Sequence, residues 1–175
     1  MRYFVRKITL SKWPKPHGSE PETGEYDVRT LRADAVADIR TFNDSLSIWS
    51  IPSDSEADID EAVLALATSV KQERLETMDI VVFAENDVTS RGLRFEDAEG
   101  ETAVTDLRNS HQNITGLTYE SLSSVMEIIA DITVAGRHKR LTQRHIEKLV
   151  KNNLQRIDVD AFANDLMKEK IRGMF

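Results

Sequence analysis

Three stretches of this 175-residue chain carry residue types that could do chemistry. The first is acidic: Asp54-Ser55-Glu56-Ala57-Asp58-Ile59-Asp60-Glu61. Oxygens at alternate positions suit a calcium loop, which also needs Gly at its sixth position and a bidentate Glu at its twelfth. Ile59 and Ala65 stand there, so these acids read instead as carboxylates gathered at a helix N-terminus, where the dipole favours them. The second stretch is Glu85-Asn86-Asp87, directly after the apolar run MDIVVFA. Open α/β sheets bind ligands beyond the carboxyl ends of their strands, and two carboxylates there could hold magnesium. A nuclease of the carboxylate-plus-lysine kind would need a Lys close behind, whereas the next base is Arg91. A polar turn is the plainer reading. The third stretch is basic: Gly136 to Asn152, GRHKRLTQRHIEKLVKN, with six Lys or Arg and two His.

The basic stretch contrasts with the rest of the chain. Residues 1–135 carry a net charge of −12 and residues 136–175 a net +5, within a total of −7. Arg144, Lys148, Lys151 and Gln155 follow i, i+4, i+7, i+11 spacing, while Ile146, Leu149, Val150, Leu154 and Ile157 fall on the opposite face. That is an amphipathic helix with a cationic ridge pointing away from the core. A row of Lys and Arg is the usual footprint of phosphate binding, so residues 137–156 could contact nucleic acid. Asp158-Val159-Asp160, standing where a helix-turn-helix has its glycine turn, and the acidic remainder of the chain both oppose that. The ridge equally suits an acidic protein surface, a second copy of the chain, or the chain's own acidic part. Arg140 to His145 (RLTQRH) also resembles the Arg-x4-6-His signature of HEPN-type ribonucleases. That resemblance implies an all-helical, dimeric nuclease using Arg140 and His145. Leu141 departs from the polar residue usual after the Arg, and the strand patterns upstream depart from the all-helical fold.

Few other residues invite a chemical role. His17, His111, His138 and His145 lack the spacing of a zinc site, and the chain has no cysteine. His111 shares a possible helical face with Leu107 and Ile114, so a satisfied, partly buried imidazole is expected. There is no Gly-rich phosphate loop and no Gly-x-Ser-x-Gly. No metal and no cofactor is expected. Trp49 lies within the strand-like LSIWSI and belongs to the core. Trp13, within Lys12-Trp13-Pro14-Lys15-Pro16, could be an aromatic binding anchor. Phe175, after Gly173 and Met174, could enter a groove of the domain or of a partner.

The elements that must position these residues follow from periodicity. Tyr3 to Leu10 is β-branched and aromatic, a strand. Residues 12–25 hold three of the four prolines and read as a loop. A short helical turn fits Ala33 to Thr41. Leu46 to Ile51 reads as a strand closed by Pro52. Ser53 or Asp54 can then cap a helix carrying Ile59, Val63, Leu66 and Val70. Met78 to Ala84 is a short, continuous apolar strand. Strand, helix, strand is a βαβ unit with parallel strands. Residues 92–96 and 101–105 flank Asp97-Ala98-Glu99-Gly100 as a hairpin. Leu107 to Ile114 reads as a short helix. Thr118 starts a helix through Leu122, Met126 and Ile129. Thr142 caps the basic helix, and a second C-terminal helix carries Phe162, Leu166, Met167 and Ile171.

The expected fold is therefore α+β, with a small mixed β-sheet containing one βαβ unit and a hairpin. Residues 1–135 would form an acidic α+β domain and residues 136–175 a basic helical hairpin packed on it. The chain lacks an unbroken apolar run long enough to span a membrane, and its N-terminal residues lack a signal-peptide core, so a cytoplasmic protein with no membrane partner is expected. The expected function is a non-enzymatic protein-interaction module: an accessory, immunity or antitoxin-like subunit with a protein partner or a homo-oligomeric state. Nucleic-acid binding through the basic helices is the alternative. The candidate contact residues are Arg140, Arg144, Lys148, Lys151, Trp13 and Phe175.

Overall fold

Successive residues of a strand point to opposite faces, so two consecutive fully buried residues require cover on both sides. Phe4 and Val5 are such a pair, as are Ile80 and Val81. The computed structural model, which describes residues 1–15, 31–39 and 41–175, supplies that cover with helices on both faces of one sheet. The strands are β1 (Tyr3–Ile8), β2 (Leu46–Ile51), β3 (Met78–Ala84), β4 (Arg94–Asp97), β5 (His111–Thr115) and β6 (Lys139–Leu141). The helices are α1 (Ala33–Asp38), α2 (Glu56–Ala67), α3 (Glu85–Thr89), α4 (Tyr119–Val134), α5 (Gln143–Asn152) and α6 (Asp165–Arg172). The chain is α+β. Val5, Trp49 and Ile80 face a core shared with α2, α5 and α6. Phe4, Ile48, Val81 and Phe83 face a second core shared with α1 and α4.

The strand order is β4-β5-β2-β1-β3-β6, and every neighbouring pair is antiparallel. The unit β2-α2-β3 is present, and its strands do run in the same direction. They are not neighbours, however, because β1 inserts between them and pairs with both. The sheet thus has no adjacent parallel pair among the described residues, and the βαβ unit is a split one. β4 forms a hairpin with β5, joined by residues 98–110, rather than with residues 101–105. Those residues are bonded elsewhere. Val70 N–H donates to the Glu101 carbonyl (3.0 Å), Ala103 N–H to Thr68 (2.9 Å) and Asp158 N–H to Ala103 (2.8 Å). Thr102, Ala103 and Val104 are buried, stitching the end of α2 to the C-terminal segment. Residues 105–110 make a 3₁₀ turn and 111–115 a strand, in place of the expected single helix.

Local chemistry places the helix ends. Ser55, rather than Ser53 or Asp54, caps α2 by accepting the Asp58 N–H at 3.2 Å. Thr118 caps α4 and Thr142 caps α5. α5 stops at Asn152, so Leu154 and Gln155 lie in a following 3₁₀ turn instead of extending the helix. The C-terminal elements do not stand apart from the sheet. β6 pairs with β3, and Ala163 N–H donates to the Val70 carbonyl at 2.8 Å. Ile146, Val150, Phe162, Met167 and Ile171 join the core built on α2. The sheet also departs from the all-helical architecture that the Arg-x4-6-His resemblance implied. His17 and most of the proline-rich segment lie outside the described residues.

Candidate interaction surface

α5 divides its side chains sharply. Ile146 and Val150 are fully buried against α2, and Leu149 is partly so. Arg144, Lys148 and Lys151 are exposed on the opposite side, and none has a carboxylate partner among the described residues. Gln155 drops out of the ridge because the helix has already ended.

The other cations of residues 136–175 are largely spent inside the chain. Arg156 grips Glu61 with both nitrogens, Nη1 at 2.9 Å and Nη2 at 2.6 Å, and reaches Asp106 at 2.7 Å. Hydrogen bonds donated to Glu61 and then to Asp106 push the Arg156 guanidinium pKa up. His145 Nε2 lies 3.0 Å from Asp60 and Arg140 lies 3.5 Å from Asp79. Lys170 donates to Glu147 at 3.0 Å, and that hydrogen bond holds the Glu147 carboxyl below its ordinary range. Arg172 reaches Asp160 at 2.7 Å. The charge asymmetry therefore has two parts: one clamps the C-terminal segment to the acidic body, and the other is left facing out. Arg140 and His145, which the ribonuclease resemblance would pair, are held by two different carboxylates on different elements.

The acidic run is accounted for in the same way. Asp58 accepts the Ser53 hydroxyl, Asp60 faces His145 and Glu61 holds Arg156. Asp54 and Glu56 remain exposed before and within the first turn of α2. Glu85 and Asp87 open α3. Asp87 accepts the Ala84 N–H at 2.8 Å, and Glu85 pairs with Arg2 at 2.8 Å, whose hydrogen bond lowers the Glu85 carboxyl pKa. Among the described residues, no group of three or more His, Asp or Glu side chains is arranged to hold a metal ion.

Two candidate contact residues differ in fate. Trp13 is only 4% exposed: it packs into the α1/α4 core and donates its indole N–H to Asp38 at 2.7 Å. It is a core residue, because the polar end of its ring finds a partner inside the fold. Phe175 is 73% exposed, while its neighbour Met174 packs on the core beneath α6. Leu166, which sequence reading placed on the buried face of the last helix, is 71% exposed. It lies one turn from Lys170 on α6 and lines a shallow groove with Gln143 at the start of α5. An apolar side chain is thus exposed near the start of α5.

His111 is half-buried on β5, between Ser47 and Ala98. Nδ1 faces the Ala98 carbonyl at 3.3 Å, so Nε2 is left to accept the Ser47 hydroxyl at 2.6 Å. Burial lowers its pKa, which favours this neutral form. Trp49 packs edge-on against the imidazole at 5.1 Å. A serine and a neutral histidine at this distance have the nucleophile–base arrangement, and nothing in the local sequence marks it. Here a backbone carbonyl, not a carboxylate, orients the ring, and the contact fastens β2 to β5. No helix among the described residues is long and apolar enough to cross a membrane. No family model matches the chain, and neither a curated protein nor a solved structure matches it.

Proposed function

We infer that this protein works as an interaction module that presents the outer face of α5 to an acidic surface of a protein partner. The role is that of an accessory or immunity-like subunit rather than a catalyst. One observation carries the reading. Arg144, Lys148 and Lys151 stand exposed on one face with no carboxylate partner among the described residues, in a segment whose other arginines and lysines are mostly bound to carboxylates of the same chain. The exposed Leu166, which shares a groove with Gln143 at the start of α5, supplies the apolar contact that protein interfaces combine with Arg. The net charge of −12 carried by residues 1–135 opposes the close approach of an extended phosphate backbone.

The test places a photo-crosslinker at Lys148 in otherwise wild-type protein and in a variant with Arg144→Glu and Lys151→Glu. Capture of an acidic protein from the native cell by the first and not by the second supports the reading. Equal capture by both refutes it. Gel shifts of DNA and RNA run beside this. Binding whose affinity falls with salt at a log–log slope near −2.7, about that of three phosphate contacts on duplex DNA, and which the charge-reversed protein loses, would replace the protein partner with nucleic acid.

A further inference from the structure

We propose that the open end of the β3 edge, beyond β6, takes up the C-terminal residues of a partner polypeptide as an added strand. This site is separate from the α5 ridge and does not rest on it. Glu85 N–H donates to the Arg2 carbonyl at 2.9 Å, just past the pair of Tyr3 with Ala84. Antiparallel ladders alternate bonded and non-bonded pairs. Asp79, Val81 and Phe83 therefore bond to β1, and the main-chain groups of Met78, Ile80, Val82 and Ala84 face the other edge. β6 covers that edge only from Met78 to Ile80. Arg137, which would come next in register, instead donates its N–H to the Ile132 carbonyl at 2.9 Å, and Gly136 before it has a positive φ. The Ala84 N–H is taken by the Asp87 carboxylate at 2.8 Å. The Val82 N–H and carbonyl point the same way and meet no hydrogen-bonding partner among the described residues.

A cleft of about 360 Å³ runs along this edge, within the range of small-molecule sites. Val82, Phe83 and Ala84 line it, with Ile59 of α2 from one core and Ile128 and Ile132 of α4 from the other. An added strand sends alternate side chains to the two faces of a sheet, so the cleft offers each an apolar seat. The charges identify which part of a polypeptide arrives. Arg137 and Lys139 line the cleft, and neither has a carboxylate partner among the described residues. The third cation, Arg91, is held by Glu127 at 3.9 Å and Asp131 at 3.6 Å. With Asp131 and Asp87 thus engaged, Asp54 alone stands against Arg137 and Lys139, one positive charge in excess. β6 begins at Lys139, opposite Ile80, and runs antiparallel to β3. A strand laid ahead of it in the same direction passes Ala84 first and ends at Arg137 and Lys139. Its terminal carboxylate completes charge-assisted bonds there, while its main chain pairs with Val82 as in other strand additions.

Acetyl-Thr-Val-Thr-Val with a free carboxylate is the probe. Its C-terminal amide and a form N-methylated at every residue are the controls. Each is titrated into ¹⁵N-labelled protein to about 5 mM, enough to fill most of a site with a Kd of about 1 mM. The free acid should shift amide signals confined to residues 81–84, 128–132 and 137–139, and should slow hydrogen exchange at Val82. The amide should bind at least about tenfold more weakly, because it lacks the charge that Arg137 and Lys139 receive. The N-methylated form keeps the carboxylate but cannot donate to the Val82 carbonyl, and it should leave the Val82 signal unmoved. Arg137→Met combined with Lys139→Met should erase the preference for the free acid. Shifts located elsewhere, or no shifts, overturn the site. Equal binding of acid and amide by the wild-type protein overturns the C-terminal assignment in favour of an internal segment. Undiminished binding of the N-methylated form overturns strand addition and leaves a simple anion site. All three outcomes are read on the wild-type protein, whether or not the variant folds.

Discussion

Replacing Arg156 by Met tests whether the basic segment is fastened to the acidic body by charge as well as by packing. The substitution keeps the apolar stem and removes the guanidinium, with its two bonds to Glu61, one to Asp106 and one to the Asn153 side chain. Hydrogen bonds to charged groups contribute about 1.5–3 kcal/mol each when well shielded. Here the partners are open to water: Glu61 is 44% exposed and Asp106 is 60% exposed. The Arg156 head is 25% exposed. Solvent screening brings each carboxylate contact toward the 0.2–1 kcal/mol of exposed pairs, so the total loss is about 1–2 kcal/mol. Urea unfolding measures it, and a denaturant slope near 2 kcal/mol/M converts it into a midpoint shift of about 0.5–1 M. Hydrogen exchange should quicken first at Asp158 and Ala163, whose amides hold the segment to Ala103 and Val70. Glu61→Gln combined with Arg156→Met should cost less than the sum of the single changes. A loss under about 0.3 kcal/mol, or strict additivity with Glu61→Gln, would show that packing alone holds the segment and refute the electrostatic clamp.

Two further outcomes are expected. Gly100 is buried, and a Cβ there would lie 2.5 Å from Trp49 Cη2 and 2.8 Å from His111 Cβ. Gly100→Ala should therefore destabilise by about 1–3 kcal/mol and alter Trp49 fluorescence; unchanged stability and emission would mean that the ring pair yields freely. For Asp38, burial pulls the carboxyl pKa up. The hydrogen bonds from Thr9 and Trp13, with Lys12 nearby, outweigh burial and hold it below the ordinary carboxylate value. A depressed folded pKa stabilises the fold above the unfolded value, and that contribution is lost as pH falls through the folded one. Wild-type stability should thus drop below about pH 4 together with a red shift of Trp13 emission. Asp38→Asn should flatten that part of the profile, and an unaltered profile in Asp38→Asn would assign the acid sensitivity elsewhere.

Much of this was legible in the residues, and the failures share a cause. Periodicity located β2, α2 and β3 because each element carries its own pattern. It could not show β1 entering between the two strands, since that pairing joins residues far apart in the chain. Residues 101–105 read as a strand because Thr102, Ala103 and Val104 are apolar or β-branched. Their backbone groups go instead to residues 68–70 and 157–158, which no local pattern announces. Trp13 looked accessible beside two lysines and two prolines; its partner, Asp38, stands 25 residues away. The ridge on α5 was legible because three cations one and two turns apart share a face whatever the fold. The cross-strand row of Ile8, Asp79 and Arg140 was not, because it exists only once three strands are in register.

The insertion of β1 between β2 and β3 has a consequence for synthesis on the ribosome. β1 precedes in the chain both strands that flank it. Phe4, Val5 and Ile8 emerge early, yet their neighbours on one side arrive some forty residues later and on the other some seventy-five. Until then this apolar strand has two open edges, the condition that invites pairing with another chain. At about 5–20 residues per second the exposure lasts several seconds, far longer than a hairpin takes to form. A strand paired along both edges in the finished sheet is, during translation, the longest unprotected of the six, and among them it is the one a ribosome-associated chaperone should hold longest.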